Sequence, residues 1–420
     1  MGSIAVNILF LTQLFPYPPD TGARIKTYHT LRFLSQEHRV TLLTFLRNED
    51  ERALLPELER LCHKVKGCFL PRSLTRDIVS LTSALVRGRS FVVERDYSPP
   101  MQALVDDTLK EERFDVIHAD RLQMTQYFSD VSSLNGAALV LDQHNVESEV
   151  VHHLARRHAG VKRALLRKEY RGLRCFETNA CARVHHVICV TGEDRENLWR
   201  LLKKGPSSGI TPRMHVVPIG VDCDKIRPLD SPKEKGRLLF VGPLNWPPNA
   251  EGVMWFARKV WPKIRERHPT ARLSVVGTNA SWRLKRLVCS FSGIELVSYV
   301  QDLLPELHRA EAMVVPLWAG SGLRVKILTA MAAGLAVVST PLGYAGIRAV
   351  PGEHLLAADD ADEFAQAVIS VLENPFLRFR LELAGRRLVE ADYDWRIVDR
   401  GLQRTYKLIE GERPAPAPLG

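Results

Sequence analysis

The sequence predicts an α/β protein made of two doubly wound, mostly parallel sheets in series. Three observations carry this. Short apolar runs recur along the chain and alternate with helical patterns, as expected for parallel strands covered on both faces. The rhythm breaks at a polar, proline-punctuated stretch, Arg227-Pro228-Leu229-Asp230-Ser231-Pro232-Lys233, and then restarts. The chain of 420 residues is also long enough for about two or three domains.

In the first half, Asn7–Thr12, Val40–Leu46, Val65–Leu70, Asp115–Ala119, Leu139–His144 and His186–Val190 read as buried strands, with Met214–Gly220 as one more. Between the first two, Tyr28, Leu31, Phe33 and Leu34 fall at helical spacing. The second half offers strands at Arg237–Val241, Arg272–Val276, Ile294–Tyr299, Ala312–Leu317, Ala336–Thr340 and His354–Ala357. Its clearest helix is Ala250–Glu266, whose apolar stripe is Val253, Phe256, Ala257, Val260 and Ile264. Helices at Asp362–Leu372 and Pro375–Leu388 close that half, and Trp395–Ile409 is a last amphipathic helix. The expected organisation is therefore one domain at 1–228, a second at 229–390, a terminal helical segment at 391–412 and a disordered proline-rich tail at 413–420. Two such domains normally face a central cleft, and ligands bind beyond the carboxyl ends of the strands at the topological switch point.

Composition narrows the class. Hydrophobic residues make up 45% and charged residues 25%, ordinary for a globular protein. No apolar run reaches the roughly 18 residues of a membrane span, and Val6–Leu11 is too short for a signal sequence core, so a cytoplasmic location is expected. Seven cysteines without a Cys-x-x-Cys pair suit a reducing compartment and argue against structural zinc. The net charge of +10 points to anionic partners. Its densest run is Arg156–Arg174, where positions 161, 165, 166, 170 and 173 share one helical face. That pattern fits a solvated helix packing its apolar side on the sheet, and it leaves open docking on an anionic membrane. Nucleic acid is disfavoured because no binding module accompanies the charge.

The most informative stretch is Gly320-Ser321-Gly322-Leu323-Arg324-Val325-Lys326, which follows one strand and opens a helix ending at Gly334. A helix N-terminus with glycines and fixed cations attracts phosphate, so Arg324 and Lys326 are expected to grip a diphosphate. After the first strand comes a proline-stiffened loop with a single glycine, Gly22, and Arg24 near a helix start. It lacks the glycines of a nicotinamide or flavin site. The loop either covers part of the cleft or is a rigid surface turn. His144, just beyond a strand end, is a cleft candidate. A metal reading of Asp142, His144 and Glu147 matches no recognised zinc spacing.

Assembled in order, these residues resemble the GT-B glycosyltransferases of the large retaining family 4. The likeness is nearest to a bacterial branch described as exopolysaccharide, exosortase-associated sugar transferases. It rests on Pro16–Lys26, His144–Glu147, Val190–Asp194 and Val217–Asp222 in the first half. In the second half it rests on Phe240–Gly242, Pro248-Asn249, Trp255-Phe256, Trp261-Pro262, Tyr299–Leu303, the loop at 320–334 and Val337–Thr340. The resemblance implies two Rossmann-like domains and a final helix crossing back to the first. It implies a nucleotide-sugar donor held mainly by the C-terminal domain, a glycan, lipid-linked or small-molecule acceptor held mainly by the other, polysaccharide biosynthesis as the setting, and no metal cofactor. His144, Arg324 and Lys326 would be catalytic, His144 by hydrogen-bonding the donor sugar. Gly22, Arg24, Gly242, Asn245, Ser321, Gly322, Leu323 and Thr329 would bind donor. The leaving phosphate would help deprotonate the acceptor hydroxyl.

The chain departs from that pattern where the family usually places two glutamates eight residues apart: Ser321 and Thr329 stand there, and Ala345 replaces a further common glutamate. A hydroxyl is shorter than a carboxylate and carries no charge. Two alternatives follow: a non-catalytic protein that binds a sugar nucleotide, or a sugar-nucleotide epimerase on the same scaffold.

Overall fold

The structure is a computed structural model that describes residues 6–128, 136–204, 210–229, 232–298, 300 and 302–412. The expected disordered tail at 413–420, linker residues Asp230 and Ser231, and Tyr299 and Gln301 lie outside the described residues. Two compact units divide the chain: Met1–Pro218 with Asp399–Gly420, and Ile219–Val398.

The first unit is built on seven parallel strands: β1 (Asn7–Thr12), β2 (Arg39–Leu46), β3 (Lys64–Phe69), β4 (Val116–Asp120), β5 (Ala138–Gln143), β6 (His186–Cys189) and β7 (Arg213–Val216). Their order is β3-β2-β1-β4-β5-β6-β7, so the winding reverses between β1 and β4. Alternation sorts the side chains: Leu9 and Leu11, Leu43 and Phe45, Ile117 and Ala119, and Leu139 and Leu141 line one buried face. The opposite face is buried too, through Ile8, Phe10, Leu42 and Val140, as a doubly covered sheet requires. The helix Gly22–Glu37 carries Tyr28, Leu31, Phe33 and Leu34, as their spacing predicts. It buries Leu31 and Leu34 but leaves Tyr28 and Phe33 partly exposed, and the rest of its buried side is Lys26, Thr27 and Thr30. Those polar residues face the polar ends of β4 and β5, which aliphatic side chains could not satisfy.

The terminal helix Trp395–Gly411 ends in this unit. Its Tyr406 hydroxyl lies 2.6 Å from His118 Nδ1, and His118 stacks on Phe10 at 4.4 Å.

The second unit has six parallel strands: β8 (Arg237–Val241), β9 (Arg272–Val276), β10 (Ile294–Val297), β11 (Ala312–Val315), β12 (Ala336–Ser339) and β13 (Leu356–Ala357). Their order is β10-β9-β8-β11-β12-β13, and the reversal falls between β8 and β11. The last strand is shorter than His354–Ala357, because His354 instead turns back and bonds Val350 N through Nδ1 at 3.0 Å. The core joins Leu238, Phe240, Leu273, Val275, Val314 and Val338 of the sheet to Phe256, Trp261, Ile264 and Phe364 of the helices. The expected helix at 250–266 is continuous in path but widens to a π turn at Phe256–Val260 before Trp261–Arg267. Pro262 explains this: a proline inside a helix donates no hydrogen bond and crowds the preceding turn, which a π turn relieves.

Candidate functional site

In the second unit the switch point falls between Gly242, just past β8, and the loop that follows β11. That loop turns through two glycines in left-handed territory, Gly320 at φ 135° and Gly322 at φ 75°. Arg324 is the N-cap residue of the helix Val325–Ala332. Its guanidinium folds back, donating to Ser321 O at 2.5 Å, Gly322 O at 2.5 Å and Leu342 O at 3.5 Å. It therefore braces the turn it closes. Lys326 lies two residues further on, with Nζ 4.5 Å from the centroid of the Phe240 ring and donating to Asn249 Oδ1 at 2.8 Å. Burial and then the charge of Arg324 both push the Lys326 ammonium down, to about 7. Its named partners are an amide oxygen and an aromatic face, neither of which carries charge. A cation so placed is favoured by an incoming anion.

Gly242 backs directly on this group. A Cβ there would stand 2.7 Å from Lys326 Nζ and 2.8 Å from Asn249 Nδ2, on a backbone with φ 152°. Gly242→Ala is thus expected to displace the ammonium and weaken the affinity for an anion held there roughly tenfold, the scale of one charge-assisted hydrogen bond. Calorimetric titration checks this, and unchanged affinity would show that Gly242 does not shape the site.

The other candidates in this unit are placed as follows. Ser321 is half-buried and Gly322 and Leu323 are buried within the turn. Asn245 is exposed in the loop after β8. The Thr329 hydroxyl donates back to Val325 O at 2.9 Å, a local bond along its own helix. Asn249, which sequence reasoning quoted only as part of a Pro-Asn pair, holds both Lys326 and Pro243 O. Its signal was its place at the first turn of the helix after β8, beside the predicted switch point.

The first unit gathers a buried polar network at its own switch point. His144 Nε2 lies 2.7 Å from Asp120 Oδ1, and Thr12 and Thr27 hydroxyls donate to Asp120 Oδ2 at 2.7 and 2.8 Å. Lys26 pairs with Asp142, and His118 Nε2 lies 3.7 Å from the same carboxylate. Burial pushes His144 down, against the pull of Asp120, so near neutral pH it is the neutral imidazole donating to that carboxylate. Burial acts to raise Asp142, but the Lys26 ammonium, with His118 and His144, outweighs it and holds the carboxyl well below its usual range. Ligand atoms of His118, Asp120 and Asp142 fall within 4.8 Å of one another, close enough for a cation. Here the cation on Asp142 is the ammonium of Lys26.

The loop candidates of this unit stand apart from that network in their bonding. Gly22 begins the helix Gly22–Glu37, while Arg24 pairs with Asp20 at 3.2 Å and Glu51 at 3.1 Å. Asp120 and Lys26 were missed from sequence. The strand was expected to stop at Ala119, one residue short, and Lys26 entered only as the last residue of the Pro16–Lys26 loop. A cavity of about 600 Å³ in this unit is lined by Arg87, Arg89, Tyr97, Phe128 and Arg183 among others, and by no residue of the network.

Residues 235–374 match the family described as glycosyl transferases group 1. An uncharacterized 44.6 kDa protein in the cps region of Klebsiella pneumoniae is 24% identical over 391 residues, covering 88% of this chain and 91% of that one. The phosphatidyl-myo-inositol mannosyltransferase of Mycobacterium tuberculosis is 29% identical over 208 residues, covering 46% of this chain and 54% of that protein. Among solved structures, sucrose-phosphate synthase from Thermosynechococcus elongatus superposes with a TM-score of 0.71 at 15% identity, covering 97% of this chain and 99% of that one. Anabaena HepE in complex with UDP and glucose gives 0.70 at 13%, covering 96% and 100%. These likenesses show the GT-B fold.

Proposed function

We propose that the protein is a retaining glycosyltransferase that moves a sugar from a nucleoside diphosphate onto a glycan, lipid-linked or small-molecule acceptor. The observation that carries this reading is the Lys326 ammonium at the β8/β11 switch point, held on Asn249 and the Phe240 ring and pushed down to about 7. A donor diphosphate supplies the charge that this group lacks, and Lys326 then stabilises the leaving group as the glycosidic bond breaks. Arg324, by fixing the glycine turn, shapes the same cradle. This pair of cations is what favours a metal-independent reaction. The first unit takes the acceptor side, with His144 oriented by Asp120. The group 1 match over 235–374 and the mannosyltransferase relative support sugar transfer as the chemistry.

The test is a thermal-shift panel of UDP-, GDP-, ADP- and TDP-sugars. A bound donor at a hundredfold excess over Kd stabilises by about 2.7 kcal/mol, so one base is expected to raise Tm by several degrees. No shift with any donor would refute the reading. A second reading, a sugar-nucleotide binder without turnover, is favoured by one observation: the Thr329 hydroxyl is spent on Val325 O where the family usually offers a carboxylate. Binding without turnover over a broad acceptor panel would select it.

A further inference from the structure

The helix Leu74–Arg87 of the first unit is turned inside out. Its protein-facing side carries buried Ser80 and Ala84, with Arg76, Asp77 and Ser83 half-buried. Its outward side carries Leu74, Ile78, Leu81 and Leu85 at i, i+4, i+7 and i+11, with Val79 and Val86 alongside, and the exposure of Leu74 and Val86 reaches 82% and 87%. Thr75 and Thr82 complete that side, which holds no charge. A surface helix ordinarily turns its apolar stripe inward. Here polar contacts fix the opposite rotation: Arg76 donates to Arg95 O at 3.4 Å and to Tyr97 O at 2.5 Å, and Ser83 donates to Glu94 Oε2 at 3.1 Å. Ser73 and left-handed Gly88 cap the two ends.

A neighbouring helix extends this face. In Gly160–Cys181, Lys168 Nζ donates to Leu85 O at 3.1 Å. Its first turns expose Val161 and Leu165, at 77% and 54%, where packing on the sheet was one expectation. Only further on does the stripe reach the core, at Leu173. The same two segments expose the cations Arg87, Arg89, Lys162, Arg163, Arg167 and Arg171, of which Lys162 lies on the helical side of Val161 and Leu165, and Arg163 and Arg167 lie on the opposite side. The intervening acid, Glu169, is tied to Ser90 Oγ at 2.5 Å and Phe91 N at 2.8 Å.

We propose that this face docks on a bilayer carrying anionic lipid, its aliphatic side chains at the headgroup boundary and its cations against lipid phosphates. The charge decides between a bilayer and a second copy of the chain. Pairing through a two-fold would set the cationic rim against itself, whereas an anionic surface neutralises it. The proposal is independent of the sugar-transfer reading.

Flotation of the full chain with vesicles tests it. The wild type is expected to bind phosphatidylcholine vesicles containing roughly 30% phosphatidylglycerol, to release at high salt, and to ignore pure phosphatidylcholine. Ile78→Ser with Val86→Ser, and separately Arg87→Glu with Lys162→Glu, should each weaken binding about tenfold or more. All four positions are exposed, so melting should not change; should a variant fold poorly, the wild-type comparison of the two vesicle types still decides. Equal binding to both vesicle types, no binding to either, or variants that bind like wild type would overturn the proposal. So would a wild-type dimer abolished by Ile78→Ser with Val86→Ser, which would make the face an interface between copies.

Discussion

Lys326→Met is expected to lower kcat/KM by on the order of 10²–10³ while leaving Tm unchanged or raised. The loss follows from removing a preorganised donor aimed at developing charge. The stability expectation follows from burial. The folded state holds the ammonium at about 7, well below its usual value, so the unfolded chain binds more protons between there and the lysine range. The lysine's contribution is therefore restored only as pH rises toward 10.5, and at neutral pH the group costs stability. Methionine keeps the stem over Phe240 and removes that cost. The same shift sets a pH dependence for the wild type. A bound diphosphate raises the ammonium again, so donor binding takes up a proton above pH 7. Affinity should be flat below about pH 7 and fall by up to tenfold per unit above it. Steady-state kinetics and melting of the variant, with donor titrations between pH 6 and 9, check both statements.

Lys26→Met should do the reverse. Lys26 and Asp142 are 3% and 1% exposed at the side chain, and the substitution leaves the Asp142 carboxylate buried without its ammonium. Breaking such a pair costs about 3–5 kcal/mol. For a unit of this size that corresponds to roughly 10 °C in Tm. The sign with pH is also fixed. Asp142 is held below its usual range, so its contribution is full above the ordinary carboxyl pKa and is lost as pH falls through the depressed folded value. Wild type and variant should therefore converge in acid. A Tm change of a degree or less at neutral pH would show the pair to be dispensable. One substitution applied to two lysines thus separates a cation that serves the ligand from one that serves the fold.

The contrast also explains how much the sequence disclosed. The alternation of apolar runs and helical patterns was enough for two parallel-sheet units, because a strand buried on both faces can only be written as a short apolar run. The turn at 320–326 was visible for a similar reason: glycines beside cations between two such runs have few other uses. Pairings across the sheet were not visible. Nothing local ties Lys26 to Asp142, 116 positions away, or Asn249 to Lys326, 77 positions away. Rotation of a helix was equally hidden. Tyr28 and Phe33 fall at helical spacing with Leu31 and Leu34, yet the strand ends under that helix are polar and took Lys26 and Thr27 instead. The helix Leu74–Arg87 was not singled out from the sequence, and the side it turns to the protein shows only in the bonds of Arg76 and Ser83.

The measurement that bears most directly on the account is a crystal structure of the protein with a nucleoside diphosphate sugar that the thermal panel selects. Diphosphate oxygens are expected about 3 Å from Lys326 Nζ, resting on Gly242 and the turn at Gly320–Arg324. A diphosphate bound elsewhere, with Lys326 still held by Asn249 and Phe240 alone, would contradict it.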